Sequence, residues 1–420
     1  MLKAVVSGPL AALLLPTQVL LQPTTATPRS TKIRAVATFD NAPASLSGKL
    51  PDCPQTKWDA DDIDIEKWQQ AYKKEDLPAC PLEIHATPEA NEAGKAYFQE
   101  KREDFAKLLE KHGTIWFRGF DLMKDEAGFR QFWQALDLDP CLDPLHTSGL
   151  RKFLSKSDGL YEEVNKESLS KHYIGLHNES TFKKTAKQGA FVCFKPATVS
   201  GGEFFIADGE RIFRDLDPEI LKTLYERKVR ISVSNLDLGA IVDNVPDSVR
   251  NGAKDTLCDI VDSTITPKFD MDLEMVWGAD GNPGRLQAIQ NAQSPITRHP
   301  ETGRPLWFCN LHNQARFLRD RRPCGTPEVG MTDIYYGDLG IIPGDVLRHV
   351  NEVSERNMMS IPMQPGEVLL IDNYRVLHGR DIFEGDRLHA VEWFGGQPLE
   401  EGSSSDKPGD ILNTIINSAF

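Results

Sequence analysis

The chain has 420 residues, and 62 Asp and Glu against 48 Lys and Arg give a formal charge of −14 at pH 7. That acidity disfavours sequence-independent binding to phosphate backbones, and 40% hydrophobic with 26% charged residues marks a globular chain, not a disordered one. The cysteines (Cys53, Cys80, Cys141, Cys193, Cys258, Cys309, Cys324) are odd in number, scattered and free of CxxC pairs, which disfavours a disulfide scaffold and a zinc ribbon.

In chain order, residues 1–39 come first. They hold Lys3, Arg29, Lys32 and Arg34, no Asp or Glu, and much Ala, Leu, Thr and Pro, which is the composition of a targeting peptide. The apolar run from Ala4 to Leu21 is broken by Gly8, Pro9 and Pro16, short of the ~20 uninterrupted residues of a membrane span, so no permanent anchor is expected. The expected destination is an organelle, a plastid first, with a mitochondrial or secretory route as the alternative. Residues 40–84 read as linker and lead-in, with Pro43, Pro51, Pro54, Pro78 and Pro81 around one short helix from Asp62 to Lys73. From Ala93 to His112, Phe98, Phe105, Leu108 and Leu109 share one helical face until Gly113 ends the pattern.

Strands are expected at Thr114 to Phe117, Ala190 to Phe194, Arg230 to Ser234, Arg304 to Cys309 and Glu367 to Ile371, separated by turns such as Pro365-Gly366. Further helices are expected at Asp125 to Leu136, Pro218 to Lys228 and Pro343 to Ser354. Short strands with long helical insertions predict a mainly β fold, a sandwich or jelly roll with peripheral helices, over residues 85–396. Residues 397–420 read as a solvated tail.

The chemistry gathers in two places. His177-Asn178-Glu179 offers an imidazole and a carboxylate at positions i and i+2, which point the same way on an extended segment. Two imidazoles and one carboxylate on one face of a metal, with open positions opposite, are the ligand set of mononuclear iron oxygenases. His299-Pro300-Glu301 has the same spacing, but Pro300 and Gly303 mark a tight turn there, so a surface connection is expected. His312-Asn313-Gln314 ends in an amide and lacks the anionic ligand. Near the C-terminus, Gly366 to Asn373 reads as a turn and a buried strand, and Arg375-Val376-Leu377-His378-Gly379-Arg380 follows. A strand that delivers His378 beside a glycine can present a third ligand, and Arg387 is spaced to return on the next strand and grip an anion.

With these residues in order, the sequence resembles the TauD/TfdA-like Fe(II)/2-oxoglutarate dioxygenases, and within them the clavaminate synthase-like branch with the SyrP-type enzymes. The resemblance spans about residues 93–395. It rests on Gly113 to Phe120, Leu176 to Glu179, Pro196-Ala197 leading to Gly201-Gly202-Glu203, Ile206-Ala207-Asp208, Arg298 to Gly303, Trp307-Phe308 with Asn310, Tyr336-Gly337-Asp338, and Gly366 to Arg387. It implies a double-stranded β-helix (jelly-roll) core, with His177, Glu179 and His378 as iron ligands and Arg387 binding the distal carboxylate of 2-oxoglutarate. It also implies oxidative decarboxylation of 2-oxoglutarate to succinate and CO2, with O2 as the second cosubstrate. A small amino-acid-like metabolite would be oxidised at an unactivated C–H bond. Retention of Glu179 argues against halogenation, which in relatives needs a small residue there.

One departure stands out. Relatives usually follow the Gly-Gly-Glu/Asp motif with a Thr that helps hold the distal carboxylate, and this chain has Phe204 and Phe205. Either Arg380 or Arg375 compensates beside Arg387, or Phe204 reshapes the pocket, or Phe204 is core packing. Hydroxylation is the expected outcome, with oxidative ring closure or desaturation, as in kainoid synthases, as the alternative. Together with the leader this suggests specialised (secondary) metabolism. A non-catalytic jelly-roll protein that binds a carboxylate is the alternative of another class. A chain beginning near Asp40 is expected to be soluble and fully active; loss of folding would show that the leader is structural.

Overall fold

The computed structural model describes residues 50–395, apart from 56–60, 146–151, 156–158, 163–164, 166–169, 182, 270, 310, 312–317 and 319–332. The leader and the C-terminal tail thus lie outside the described residues, as does His312.

Two sheets face each other across a shared apolar core. The larger has the order Leu82–His85, Thr114–Arg118, Val368–Asp372, Gln188–Lys195, Leu388–Phe394, Leu160–Glu162, Phe153–Ser155, with Pro140–Cys141 also paired to Leu388–Phe394. Its first two strands are parallel and the other pairs antiparallel. The smaller, all antiparallel, has the order Met358–Ile361, Phe204–Asp208, Val376–Arg380, Ile174–His177. Phe191, Cys193, Leu369, Ile371, Val391 and Trp393 from the larger sheet meet Phe204, Ile206, Ile361 and Val376 from the smaller. This is the jelly-roll core that the sequence pattern predicts.

Helices cover both outer faces, which is why several strands are apolar without alternation. In Thr114–Arg118, Trp116 turns into the sandwich, while Phe117 turns out against Phe98, Phe105 and Phe132, with ring centroids 5.1 to 5.7 Å away. On the other side, Phe205, Ala207 and Leu377 pack on Ile212, Phe213, Leu221 and Leu347 of flanking helices. Helix Ile65–Lys74, in the stretch expected to be lead-in, buries Ile65 and Tyr72 in that same cluster, and its Gln69 donates to the carbonyls of Phe213 and Leu216.

The helix expected from Ala93 to His112 is instead two, Lys95–Glu100 and Arg102–His112, preceded by Pro88–Ala93. Gly94 at φ +52° ends the first piece, and Lys101 at ψ 7° separates the other two. The kink still brings Phe98 and Phe105 to 6.0 Å. The long helix Asp247–Phe269 and strands Leu273–Trp277 and Arg285–Gln290 carry no clear sequence signal; the helix contains Gly252 and Pro267 and buries only scattered side chains such as Leu257 and Val261. These strands join Val229–Asp237 and Ile334–Tyr336 in a separate four-stranded sheet. No described helix is long and apolar enough to cross a membrane.

A buried ion pair anchors the start of the His378 strand. Arg375 Nη2 lies 2.7 Å from Asp208 Oδ2 and Nε donates to Asp208 Oδ1 at 3.1 Å, while Nη1 reaches the carbonyls of Glu110 and Lys111. Burial works against the guanidinium charge, but the carboxylates of Asp208 and Glu210 together hold Arg375 above its ordinary pKa. Arg375→Met, which strands Asp208 in the core, is expected to cost about 3 to 5 kcal/mol in chemical denaturation. Combining it with Asp208→Leu should cost clearly less than the sum of the two single changes; strict additivity would show that the pair is not coupled.

Candidate active site

His378 sits mid-strand in Val376–Arg380, in register with Ile206 on one side and His177 on the other. Directly opposed residues of antiparallel strands share a face, so both imidazoles point into the sandwich, with ring centroids 4.4 Å apart. Gly379 makes this approach possible: a Cβ there would meet the Ile174 carbonyl oxygen at 2.5 Å. Glu179 lies just past the end of strand Ile174–His177, 3% exposed, with Oε2 3.9 Å from His177 Nε2. Among the described residues, His177, Glu179 and His378 form the one cluster able to hold a metal ion, with a donor atom from each within 4.8 Å of the others.

The donor chemistry fits iron. His177 Nδ1 donates to the Gly175 carbonyl at 2.9 Å, which puts the ring proton on Nδ1 and leaves the Nε2 lone pair for a metal. Glu179 supplies the anion. Its backbone is held by Asn373: Asn373 Oδ1 accepts from Glu179 N–H at 2.9 Å, while Asn373 Nδ2 donates to the carbonyls of Glu179 at 3.0 Å and Ala186 at 2.8 Å. Asn178 Nδ2 returns a bond to the Asn373 carbonyl at 2.8 Å. Sequence inspection gives neither asparagine a role, because the partners are backbone groups nearly 200 positions away.

Apolar rings wall the cluster. Phe191 lies 4.9 Å and Trp393 5.9 Å from the His378 ring, and Phe204 stacks parallel to it at 5.9 Å while touching Phe191 at 4.5 Å. Phe204 is 1% exposed and opposes Arg380 in the ladder. It is thus a core side chain that also borders the cluster.

The arginines separate. Arg387 is 5% exposed and Arg380 fully buried, and both guanidinium groups lie over the Phe383 ring, at 5.7 and 4.9 Å. Arg380 donates to the carbonyls of Asp381 and His172, and Arg387 to Asn165 Oδ1 at 3.2 Å. Gly202, at φ +79°, leaves room for this: a Cβ there would press on Arg387 Cδ and Nε at 3.3 Å. Arg375, in contrast, belongs to the Asp208 pair. It lines a cleft of about 410 Å³ with Arg304, Glu210 and His299, where Arg304 pairs with Glu75 and Glu210, and His299 with Asp372.

His299 corrects one expectation. The turn at Pro300 is present, but His299 is buried at 5% exposure and is no surface connection. Its Nε2 donates to Asp372 at 2.7 Å while Nδ1 accepts the backbone N–H groups of Glu301 and Thr302, so the ring is consumed in structure, outside the metal cluster.

A jelly roll with two imidazoles and a carboxylate converging between its sheets defines the non-haem iron oxygenase class. The family described as "Taurine catabolism dioxygenase TauD, TfdA family" matches residues 84–392, and the chain belongs to it. It is an Fe(II)/2-oxoglutarate-dependent dioxygenase. The dapdiamide synthesis protein DdaC of Enterobacter agglomerans is 25% identical over 68% of this chain and 83% of its own. A clavaminate synthase-like protein of Arabidopsis thaliana is 23% identical over 67% and 81%. Among solved structures, PvcB of Pseudomonas aeruginosa superposes with a TM-score of 0.44 at 14% identity, covering 76% of this chain and 87% of that one. An asparagine oxygenase in complex with Fe(II), 3-hydroxyasparagine and succinate gives 0.43 at 13%, covering 79% and 89%.

Asn373→Ala keeps all three donor side chains and removes the clamp on Glu179. Calorimetric titration with Fe(II) under anaerobic conditions is expected to show affinity lower by about 10- to 100-fold. An unchanged affinity would show that Glu179 holds its position without the clamp.

Proposed function

We propose that His177, Glu179 and His378 are the iron ligands, that Arg387 binds the distal carboxylate of 2-oxoglutarate, and that the enzyme oxidises an unactivated C–H bond of a small amino-acid-like metabolite. The observation that carries this reading is the convergence of the three donor side chains in a buried, aromatic-walled space. The bound iron and 2-oxoglutarate supply the oxidising chemistry, with release of succinate and CO2. The chain's own residues orient and shield. Gly175 fixes the tautomer of His177, Asn373 aims Glu179, and Phe191, Phe204 and Trp393 exclude water around His378. Arg387 offers a buried positive charge, with Arg380 near it as a secondary contributor.

The substrate class follows the family and the dapdiamide synthesis relative, and suits a specialised metabolic role. Hydroxylation is the proposed outcome, with ring closure or desaturation the alternative. We also propose delivery to an organelle, a plastid first, through residues 1–39, on the acid-free composition of that segment.

The test has two steps. Anaerobic Fe(II) with 2-oxoglutarate is expected to give the visible charge-transfer band of a chelate. Amino acids and their N-alkylated derivatives are then screened in air for substrate-dependent succinate release. A protein that binds 2-oxoglutarate without the band, and releases no succinate with any of them, would instead be a carboxylate-binding jelly roll.

Arg387→Leu should weaken 2-oxoglutarate binding by well over tenfold, the ~2 to 5 kcal/mol lost when one partner of a buried ion pair is removed, with Fe(II) affinity intact. Phe204→Thr is expected to destabilise the fold by about 3 kcal/mol or more, as for a truncated core aromatic. If it also alters half-saturation for 2-oxoglutarate, Phe204 shapes the pocket; a change in melting temperature alone marks it as packing.

A further inference from the structure

Strand Leu388–Phe394 carries a histidine that the chemistry above does not use. His389 is 2% exposed, and its Nδ1 makes no hydrogen bond in the structure. Its backbone is fixed on both sides by Asn165, whose Oδ1 accepts the His389 N–H at 3.0 Å and whose Nδ2 donates to the His389 carbonyl at 2.7 Å. The same Asn165 Oδ1 accepts from Arg387 Nη1 at 3.2 Å, so His389 and Arg387 are tied to one side chain.

The ring faces the sandwich. His389 is in register with Cys193, and Val391 with Phe191. Cys193, Phe191, Val391 and Trp393 all belong to the core between the sheets, and alternation along the strand turns His389 to that same interior. Burial, and then the positive charges of Arg387 and Arg380, hold its pKa well below the ordinary value. At neutral pH the imidazole is therefore uncharged and keeps a single N–H. An unsatisfied buried polar atom is costly, and a ligand that completes its hydrogen bond removes that cost. Beside two guanidinium groups, the fitting ligand is an anion with several oxygens to share. Phe204, on the facing sheet, has no donor to give it.

We propose that His389 donates from Nδ1 to the distal carboxylate of 2-oxoglutarate and, with Arg387, forms the seat of that carboxylate. The inference rests on the function proposed above. A neutral donor at this point adds direction to the charge of Arg387 without a third buried cation to offset.

Fe(II)-loaded wild type, His389→Leu and His389→Gln are titrated anaerobically with 2-oxoglutarate and with pyruvate, which has the same chelating oxygens and no distal carboxylate. Binding is read by calorimetry and by the chelate absorption, and melting temperatures check folding. His389→Leu is expected to lose about tenfold or more in affinity for 2-oxoglutarate, the loss of one hydrogen bond to a charged group, with Fe(II) and pyruvate binding unchanged. His389→Gln, which retains an N–H, should recover most of the affinity. Unchanged 2-oxoglutarate affinity in His389→Leu overturns the inference and leaves water as the partner of Nδ1; an equal loss for pyruvate overturns it as general damage. A wild type that forms no chelate at all overturns the functional reading itself, and this inference with it.

Discussion

The carboxamide of Asn373 is the joint on which the site depends. The two histidines are set by sheet register, but Glu179 lies beyond the end of its strand, where no ladder fixes the backbone. Asn373 supplies the missing constraint with three hydrogen bonds in a fully buried position, and it sits in the turn that launches the His378 strand. The carboxylate and the second imidazole are thereby referred to one rigid turn. A fully satisfied buried amide specifies a single geometry, because any displacement leaves polar groups unpaired where water cannot reach them.

Charge is partitioned around that turn. Before the His378 strand, Arg375 is consumed by Asp208; after it, Arg380 and Arg387 stack on Phe383. The two environments differ in what they can do. The Arg375 guanidinium, paired with a carboxylate at 2.7 Å, serves the fold, whereas Arg387 donates to the Asn165 carboxamide beside His389. The glycines at 202 and 379 belong to the same arrangement, since each removes a side chain where another element must pass close by.

The aromatic lining links stability to function. Phe191, Phe204 and Trp393 belong to the apolar core that holds the two sheets together, and their rings also pack around His378. Removing volume there weakens the sandwich and wets the metal site together.

The sequence by itself picked out the three side chains that converge between the sheets, the jelly-roll class and three strands of the larger sheet. These rest on local signals: residue chemistry at i and i+2, apolar runs bounded by Gly and Pro, and a histidine delivered beside a glycine. Thr114–Arg118, Gln188–Lys195 and Val368–Asp372 fall within a few residues of their expected positions for that reason. Tertiary structure alone decided which arginine meets Asp208, that His299 is buried against Asp372, that Asn373 holds Glu179, and that His389 faces the interior beside Arg387. Each depends on a partner far away in the chain, and only strand register and sheet packing bring such partners together; Asn373 or Arg375 read from sequence is the same polar residue whether it ends in solvent or in the core.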